Sequence, residues 1–191
     1  PDAAGVLGRL TPTFADRRQA WPPTLFHLGD SRPRKGLADF LRAAEMVHAE
    51  VPELRLVIAS KEPCRIETTV PFTFHLKPSR LELTQFYQSC TVFVSASLAE
   101  GLGLPPLEAM ACGAPVVMTE TGGSSDYAVN GENCLLSPPQ NPALLARDIL
   151  RLLREPALAL RLSHAGPATA ARFEWTWVMD RLERFLLEAT T

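Results

Sequence analysis

The chain alternates between short, almost continuously apolar runs and longer stretches in which apolar residues recur at helical spacing. Such runs are typical of strands that are buried on both faces of a parallel sheet. Six strands are predicted, at residues 24–29, 54–60, 72–76, 90–96, 114–118 and 133–137. Because predicted strands and helices alternate along the chain, the pattern predicts a doubly wound, Rossmann-like α/β domain with a parallel sheet of about six strands.

The stretches between the strands carry helix-start signals as well as helical periodicity. Ser79 and Glu82 have the spacing of a capping box, and Asn141 precedes a proline at the start of an apolar stripe. Pro105 and Pro106 fall in the first turn of a helix, where the missing N–H groups leave no hydrogen bond unmade. Helices are predicted over residues 37–48, 79–87, 104–112, 141–153 and 173–187. Ligands of doubly wound domains bind at the carboxyl ends of the strands, so functional residues are expected in the loops there.

The first residues of the chain differ from the rest. Residues 1–22 combine Gly, Pro and Thr with the pair Arg17-Arg18 and have no sustained period, which predicts an N-terminal arm or an interdomain linker. Residues 23–191 are expected to form one domain that ends in a closing helix at about 173–188. With 191 residues, 46% of them hydrophobic, the chain is long enough for one full core.

Composition argues against several classes of function. The formal net charge is −2 and no basic stripe occurs, so no nucleic-acid partner is expected. No run approaches the ~20 apolar residues of a membrane span, and the N-terminus has no signal-peptide pattern. The cysteines are far apart in sequence, which favours reduced thiols, argues against a metal site and predicts a cytoplasmic protein. These cysteines are Cys64, Cys90, Cys112 and Cys134.

The loop after the first strand, GDSRPRKG at residues 29–36, carries three cations. Arg32, Arg34 and Lys35 stand beside the start of the next helix, whose free N–H groups favour anions. A phosphate or pyrophosphate site is one interpretation, and a solvated basic loop is the other. The usual glycine motifs of nucleotide-binding loops are absent from this segment.

The stretch AEGLGLPPLEAMACGAPVVM, residues 99–118, places two glutamates eight positions apart around a glycine-rich turn. Glu100 follows the fourth strand, whereas Glu108 is predicted in the first turn of the next helix. Gly101 and Gly103 allow a ligand to approach the backbone N–H groups between the two carboxylates. Carboxylates accept hydrogen bonds from paired hydroxyls, so the arrangement suits a sugar nucleotide. Taken singly, Glu108 could merely complement the helix dipole and Glu100 could be a surface residue; together with the glycines they favour a site.

Two further features leave their alternatives open. Gly122-Gly123, after the fifth strand, could bring the backbone close to a ligand or could form a plain turn. His27 and His75 lie within apolar strands, which is typical of core residues rather than ligands.

The segment EGLGLPPLEAMACGAPVV resembles the E-x7-E signature of retaining glycosyltransferases of family four, which have the GT-B fold. Flanking segments resemble the same family in the same order: GDSRPRKG, LELTQFYQSCTVFVSAS, TGGSSDYAVNGENCLLSPPQNPALLA and FEWTW. The resemblance covers about residues 24–188. It implies that the chain is one half of a GT-B fold, the C-terminal domain that binds the sugar donor.

The resemblance implies a role for each matching residue. Glu100 would face the donor sugar near its reacting carbon, Glu108 would bind the ribose hydroxyls, and Lys35 matches a phosphate-binding lysine. Many members carry arginine at the position of Asp30, and Arg34 is expected to supply that charge instead. The base is expected near residues 60–79. The sugar and phosphate would be held by the backbone of Gly101, Leu102, Gly103 and Leu104.

The resemblance also implies an activity. A member would move a hexose from a nucleoside-diphosphate sugar to an acceptor saccharide, lipid or small molecule, with retention and without a metal or other cofactor. The acceptor site belongs to an N-terminal domain, so this chain alone is expected to be inactive. Apolar faces of residues 173–187 and of the arm could drive a homodimer, and a full-length protein could attach peripherally to a membrane. A non-catalytic sugar-nucleotide-binding domain and a GT-B sugar-nucleotide 2-epimerase remain alternatives.

Overall fold

Six parallel strands form the centre of the structure, a computed structural model that describes residues 22–174 and residues 179, 183 and 184. The strands are β1 (Thr24–Leu28), β2 (Arg55–Ser60), β3 (Phe72–Leu76), β4 (Val92–Ser95), β5 (Val116–Thr119) and β6 (Leu135–Ser137). Their spatial order is β3-β2-β1-β4-β5-β6, and every neighbouring pair is parallel. The predicted doubly wound sheet is therefore confirmed.

β1 and β4 lie in the middle of the sheet and show why the strands are so apolar. Leu25 of β1 pairs with Leu56 of β2 on one side and with Val92 of β4 on the other. Leu25 and its neighbour Phe26 are fully buried although they point to opposite faces, because both faces are covered.

β3 is an edge strand whose residues are exposed or half-buried, so the prediction that His75 lies in the core is wrong.

Five α-helices cover the sheet within the described residues. They are α1 (Leu37–Glu50), α2 (Arg80–Ser89), α3 (Leu104–Ala111), α4 (Pro142–Arg154) and α5 (Pro156–Ala171). The predicted capping box is confirmed, since Ser79 N–H donates to the Glu82 carboxylate at 2.7 Å and Glu82 N–H donates to Ser79 Oγ at 3.3 Å. Asn141 caps α4 as predicted, with Oδ1 accepting from Leu144 N–H at 3.1 Å. None of the described helices is long and apolar enough to cross a membrane.

The helices divide between the two faces of the sheet. α1 and α4 pack on one face, where Phe40 and Ile149 belong to the same buried cluster. α2 and α3 pack on the other face, around Tyr87 and Met110. The chain thus changes face between β1 and β4, which are neighbours in the sheet. This switch point opens a crevice at the carboxyl ends of the two strands, where the loops at 29–36 and 96–103 meet.

Helix α5 was not predicted from the sequence. Its apolar residues follow no strong stripe, and both Gly166 and Pro167 lie inside it. Tertiary packing explains its stability: Leu162 is fully buried in the core, and α5 crosses α3 at Gly166, where a Cβ atom would lie only 3.0 Å from the Met110 carbonyl oxygen. Burial and close helix contact therefore outweigh the low helix propensity of the glycine and proline.

The predictions for the two ends of the chain concern the N-terminal arm and the closing helix. The arm at residues 1–22 lies outside the described residues except for Pro22, and so does most of the closing helix predicted at 173–188. Residues 172 and 173 form a turn after α5, and residues 179, 183 and 184 are helical. The domain boundary and the homodimer faces stay predictions.

Candidate functional site

The loops that follow β1 and β4 are fastened to each other by their backbones. Leu98 N–H donates to the Arg34 carbonyl oxygen at 2.7 Å. Gly36 has a φ of +64°, and a Cβ atom there would lie 1.8 Å from the carbonyl oxygen of Ala96, so only glycine fits. This contact places Lys35 directly beside the loop that carries Glu100.

Glu100 lies at the centre of a cluster of hydrogen bonds. Lys35 Nζ donates to Glu100 Oε1 at 2.7 Å, and Ser97 Oγ donates to the same oxygen at 2.9 Å. Arg34 donates to Oε2 at 3.2 Å from the more exposed side. Burial by itself raises the pKa of the Glu100 carboxyl, but the hydrogen bonds from Lys35 and Ser97 and the two cations outweigh it, and the net pKa is lowered. Glu100 is therefore an anion at neutral pH.

A second ion pair lies at the start of the basic loop. Asp30 is buried, and its carboxylate accepts hydrogen bonds from the Arg32 side chain at 2.8 and 2.5 Å and from the Arg32 backbone at 3.0 Å. The hydrogen bond from the Arg32 side chain is the main reason that the pKa of Asp30 is lowered to about 2. Asp30 thus fixes the guanidinium of Arg32 at the mouth of the crevice.

The glycine-rich turn after Glu100 is supported from behind by the loop that follows β5. Gly123 N–H donates to the Glu100 carbonyl oxygen at 3.2 Å, and Tyr127 Oη donates to the Gly103 carbonyl oxygen at 3.2 Å. A Cβ atom on Gly123 would lie 1.3 Å from the Gly101 carbonyl oxygen. Gly123 therefore packs directly against the turn and holds it in place.

The turn offers backbone donors to the crevice. Among the hydrogen bonds of the described residues, none is donated by the N–H groups of Gly101, Leu102 or Gly103. The next helical positions, Pro105 and Pro106, have no N–H group to offer. Any oxygen that binds at this end of α3 would thus be held mainly by the turn preceding the helix.

Glu108 differs from its predicted position. α3 begins at Leu104, so Glu108 lies in the second turn and the prediction of a first-turn residue is wrong. Its carboxylate oxygen Oε2 accepts a hydrogen bond from Tyr87 Oη at 2.9 Å. Burial, together with the adjacent carboxylate, raises the pKa of Tyr87 well above its usual value. Interaction with the helix dipole does not account for Glu108, because the dipole acts mainly on the first turn.

These residues surround a cavity of about 760 Å³. Lys35, Glu100, Glu108 and the turn at residues 101–104 line it as the sequence suggested, whereas Arg34 is not among the described lining residues. The other lining residues are Leu28, Gly29, Asp30, Arg32, Ser60, Lys61, Arg80, Leu83, Thr84, Tyr87, Pro105, Ala111 and Cys112. The structure therefore brings the loops after β1, β2 and β4 together with helices α2 and α3 into one site.

Sequence reasoning missed the contribution of α2 to this cavity. Arg80, Thr84 and Tyr87 lie on the face of α2 that turns towards Glu108. Their spacing of four and three residues is a helical stripe, which could have been recognised as a polar face beside the apolar one. Ser60 and Lys61, by contrast, fall within the expected base region at residues 60–79.

Comparison with known proteins gives the family. A family model described as glycosyl transferases group 1 matches residues 22–155. The D-inositol 3-phosphate glycosyltransferase of Thermobispora bispora is 30% identical in an alignment 203 positions long. The alignment covers 95% of this chain and 47% of that protein. This chain thus spans less than half the length of that relative, and it spans 21% of the D-inositol 3-phosphate glycosyltransferase of Streptomyces bingchenggensis.

Solved structures give the fold. Sucrose-phosphate synthase from Thermosynechococcus elongatus superposes with a TM-score of 0.74 at 28% identity, over 95% of this chain and 53% of that one. The C-terminal domain of the group 1 glycosyltransferase LpcC from Francisella tularensis gives 0.70 at 23% identity, over 86% and 97%. HepE from Anabaena in complex with UDP-glucose gives 0.74 at 20% identity, over 92% and 52%. The chain belongs to the glycosyl transferases group 1 family, and its described part has the fold of one GT-B glycosyltransferase domain.

Proposed function

We propose that this chain is the donor-binding domain of a retaining glycosyltransferase and that it binds a nucleoside-diphosphate hexose without a metal. Acceptor binding and complete turnover would need a second domain. The observation that carries the proposal is the cavity lined jointly by Lys35, Glu100, the turn at residues 101–103 and Glu108.

The order of groups along the cavity suits a sugar nucleotide. Glu108, which lies beside α2, would accept hydrogen bonds from the ribose diol. Lys35, Arg32 and the N–H groups of the turn would bind the diphosphate, which carries negative charge. Glu100 would then lie next to the sugar, because it contacts Lys35 and precedes the turn.

The same groups suit transfer of the sugar. When the bond between sugar and diphosphate breaks, positive charge develops on the sugar ring and negative charge on the leaving diphosphate. Lys35 and the oriented N–H groups would stabilise the leaving group, since they are fixed before the reaction begins. The Glu100 carboxylate, kept ionised by its neighbours, would orient the sugar and tolerate the positive charge.

The comparisons support this assignment. The LpcC structure is that of a C-terminal domain, and this chain covers 97% of its length. The HepE structure contains UDP-glucose and has the same domain fold. A non-catalytic sugar-nucleotide-binding domain would keep the same cavity, so donor binding and transfer need separate tests.

Calorimetric titration with UDP, GDP, ADP and TDP in metal-free buffer tests donor binding. Lys35→Gln should weaken binding of the preferred nucleotide about tenfold, as should Glu108→Gln, because each removes a charged hydrogen-bonding partner. Arg55→Gln and Glu132→Gln each remove one charge, positive and negative respectively, outside both the cavity and the expected base region, and they serve as controls. Failure of all four nucleotides to bind would contradict the proposal. Binding without sugar transfer in a two-domain protein would instead favour the non-catalytic alternative.

A further inference from the structure

Tyr87 is the hydrogen-bond partner of the Glu108 carboxylate, and it was not among the site residues expected from the sequence. Its hydroxyl donates to Glu108 Oε2 at 2.9 Å, and both residues line the cavity. The link joins α2 to α3, which are separated by β4 in the chain. Resting on the proposed function, we infer that Tyr87 is a positioning residue which orients Glu108 and so sets the preference of the site for ribose over deoxyribose nucleotides.

Core packing fixes the aromatic ring of Tyr87 and thereby the position of its hydroxyl. The side chain is 2% exposed, and its ring packs edge-on against Phe26 at 5.1 Å and against Phe93 at 5.3 Å between centroids. Both phenylalanines belong to central strands, β1 and β4, and are fully buried. The sheet therefore fixes the hydroxyl, and the hydroxyl in turn fixes Oε2 of Glu108.

This contact determines how Glu108 can meet a ligand. A carboxylate with two free oxygens can rotate and accept hydrogen bonds in many directions, whereas Oε2 is already engaged here. Oε1 is then the oxygen left to accept hydrogen bonds from a ligand. Vicinal hydroxyls form their strongest hydrogen bonds with an acceptor that is already oriented, because little side-chain entropy is lost on binding.

Tyr87 remains a donor under all ordinary conditions. Its surroundings raise the pKa of the phenol, so the proton stays on Oη and the hydrogen bond to Glu108 persists. A phenylalanine in its place keeps the ring and its packing, and it removes only this donor. The substitution thus isolates the positioning effect from the contribution of the ring to the core.

The test compares ribose and 2′-deoxyribose forms of the same probe. Binding of UDP and dUDP, or of GDP and dGDP if guanine is preferred, is measured by calorimetry for the 191-residue chain and for Tyr87→Phe. We expect Tyr87→Phe to weaken ribonucleotide binding about tenfold while deoxyribonucleotide binding changes little, so the preference for ribose largely disappears.

Tyr127→Phe is the matched control. It also removes a buried tyrosine hydroxyl, but that hydroxyl donates to the Gly103 carbonyl oxygen rather than to Glu108. It should leave the ratio of ribose to deoxyribose affinity unchanged even if both affinities fall. A Tyr87→Phe variant that lowers both affinities equally would show a merely structural role and overturn the inference.

A double-mutant cycle separates an effect of Tyr87→Phe on Glu108 from an effect on folding. In the background of Glu108→Ala the hydroxyl has no carboxylate to orient, so adding Tyr87→Phe should not change nucleotide affinity further. An additional loss in that background would overturn the inference while leaving the proposed function intact. If the unmodified chain binds no nucleoside diphosphate, the proposed function fails, and this inference fails with it.

Discussion

Lys35 Nζ lies 2.7 Å from Glu100 Oε1, so a cation and a carboxylate of the cavity neutralise each other when no ligand is bound. Both side chains are only 15% exposed. An arriving diphosphate would compete with Glu100 for Lys35. The pair therefore couples the affinity of the site for phosphate to the charge of the residue that would face the sugar.

Glu100→Gln should therefore strengthen binding of the nucleoside diphosphate while it abolishes sugar transfer in a two-domain protein. Without the anion, Lys35 and Arg34 lack their partner, and we expect affinity to rise about fivefold. Calorimetry at two salt concentrations measures the effect, which should be smaller at high salt. Weaker binding of the diphosphate would instead mean that the Glu100 anion is needed to hold Lys35 in its binding position.

The double glycine after β5 offers a matched pair of substitutions. Gly123→Ala would place a Cβ atom 1.3 Å from the Gly101 carbonyl oxygen, whereas the nearest atom at Gly122 would lie 4.0 Å away. Gly123→Ala should displace the turn at residues 101–103 and abolish nucleotide binding. Gly122→Ala should bind nucleotide like the unmodified chain. Equal behaviour of the two variants, measured by calorimetry and melting temperature, would contradict the supporting role of Gly123.

Arg32 and Arg34 offer a second matched pair, because their side chains are 49% and 47% exposed. Asp30 holds Arg32 at the cavity, while Arg34 reaches Glu100 from outside it. Arg32→Gln should weaken binding of nucleoside diphosphate about fivefold, and Arg34→Gln less than twofold. The reverse order in a titration would instead favour the role expected for Arg34 from the family resemblance.

His27 should make the stability of the domain depend on pH. Its ring is buried and stacks on Phe40 at 4.4 Å, Nδ1 donates to the Val94 carbonyl oxygen, and Nε2 has no partner among the described residues. Burial is the main reason that the pKa of His27 is lowered to about 4, and the charge of Lys35 lowers it further, against the hydrogen bond to Val94 and the charge of Asp30.

The unfolded chain, with an ordinary histidine pKa of about 6.5, therefore binds more protons than the folded one between pH 6.5 and 4. Stability should fall as pH decreases through this window, by about 2 kcal/mol at pH 5. His27→Asn keeps a donor near Val94 but cannot titrate, so it should be less stable at pH 7 and lack this component of the pH dependence. Urea unfolding of both proteins at pH 7, 6 and 5 checks the difference. A constant difference across that range would refute the assignment.

Removal of metal ions should leave nucleotide binding unchanged. Lys35, Arg32 and backbone N–H groups already supply the positive charge that a metal would otherwise provide for the diphosphate. In the described part of the chain, no cluster of His, Cys, Asp and Glu side chains has a metal-binding arrangement. Titration in EDTA should match titration in magnesium. A loss of affinity in EDTA would show that binding requires a metal.

The sequence alone predicted the parallel sheet and the loops that supply Lys35, Glu100 and residues 101–104 to the cavity. Apolar strands alternate with helices in the order that produces a parallel sheet, and glycines and cations gather just beyond the carboxyl ends of β1 and β4. Glu100 and Lys35 could be named because local sequence signals, a strand end and a helix start, place them at that edge.

Only the tertiary structure decided which of these residues touch. The contact of Arg34 with Glu100, the packing of Gly123 against Gly101 and the hydrogen bond from Tyr87 to Glu108 all depend on packing between segments far apart in the chain. Helix α5 also depends on packing between distant segments, since contact with α3 compensates for the glycine and proline inside it. Periodicity reports which face of an element is buried, but the partner of a polar atom is set by three-dimensional contacts that a linear pattern does not contain.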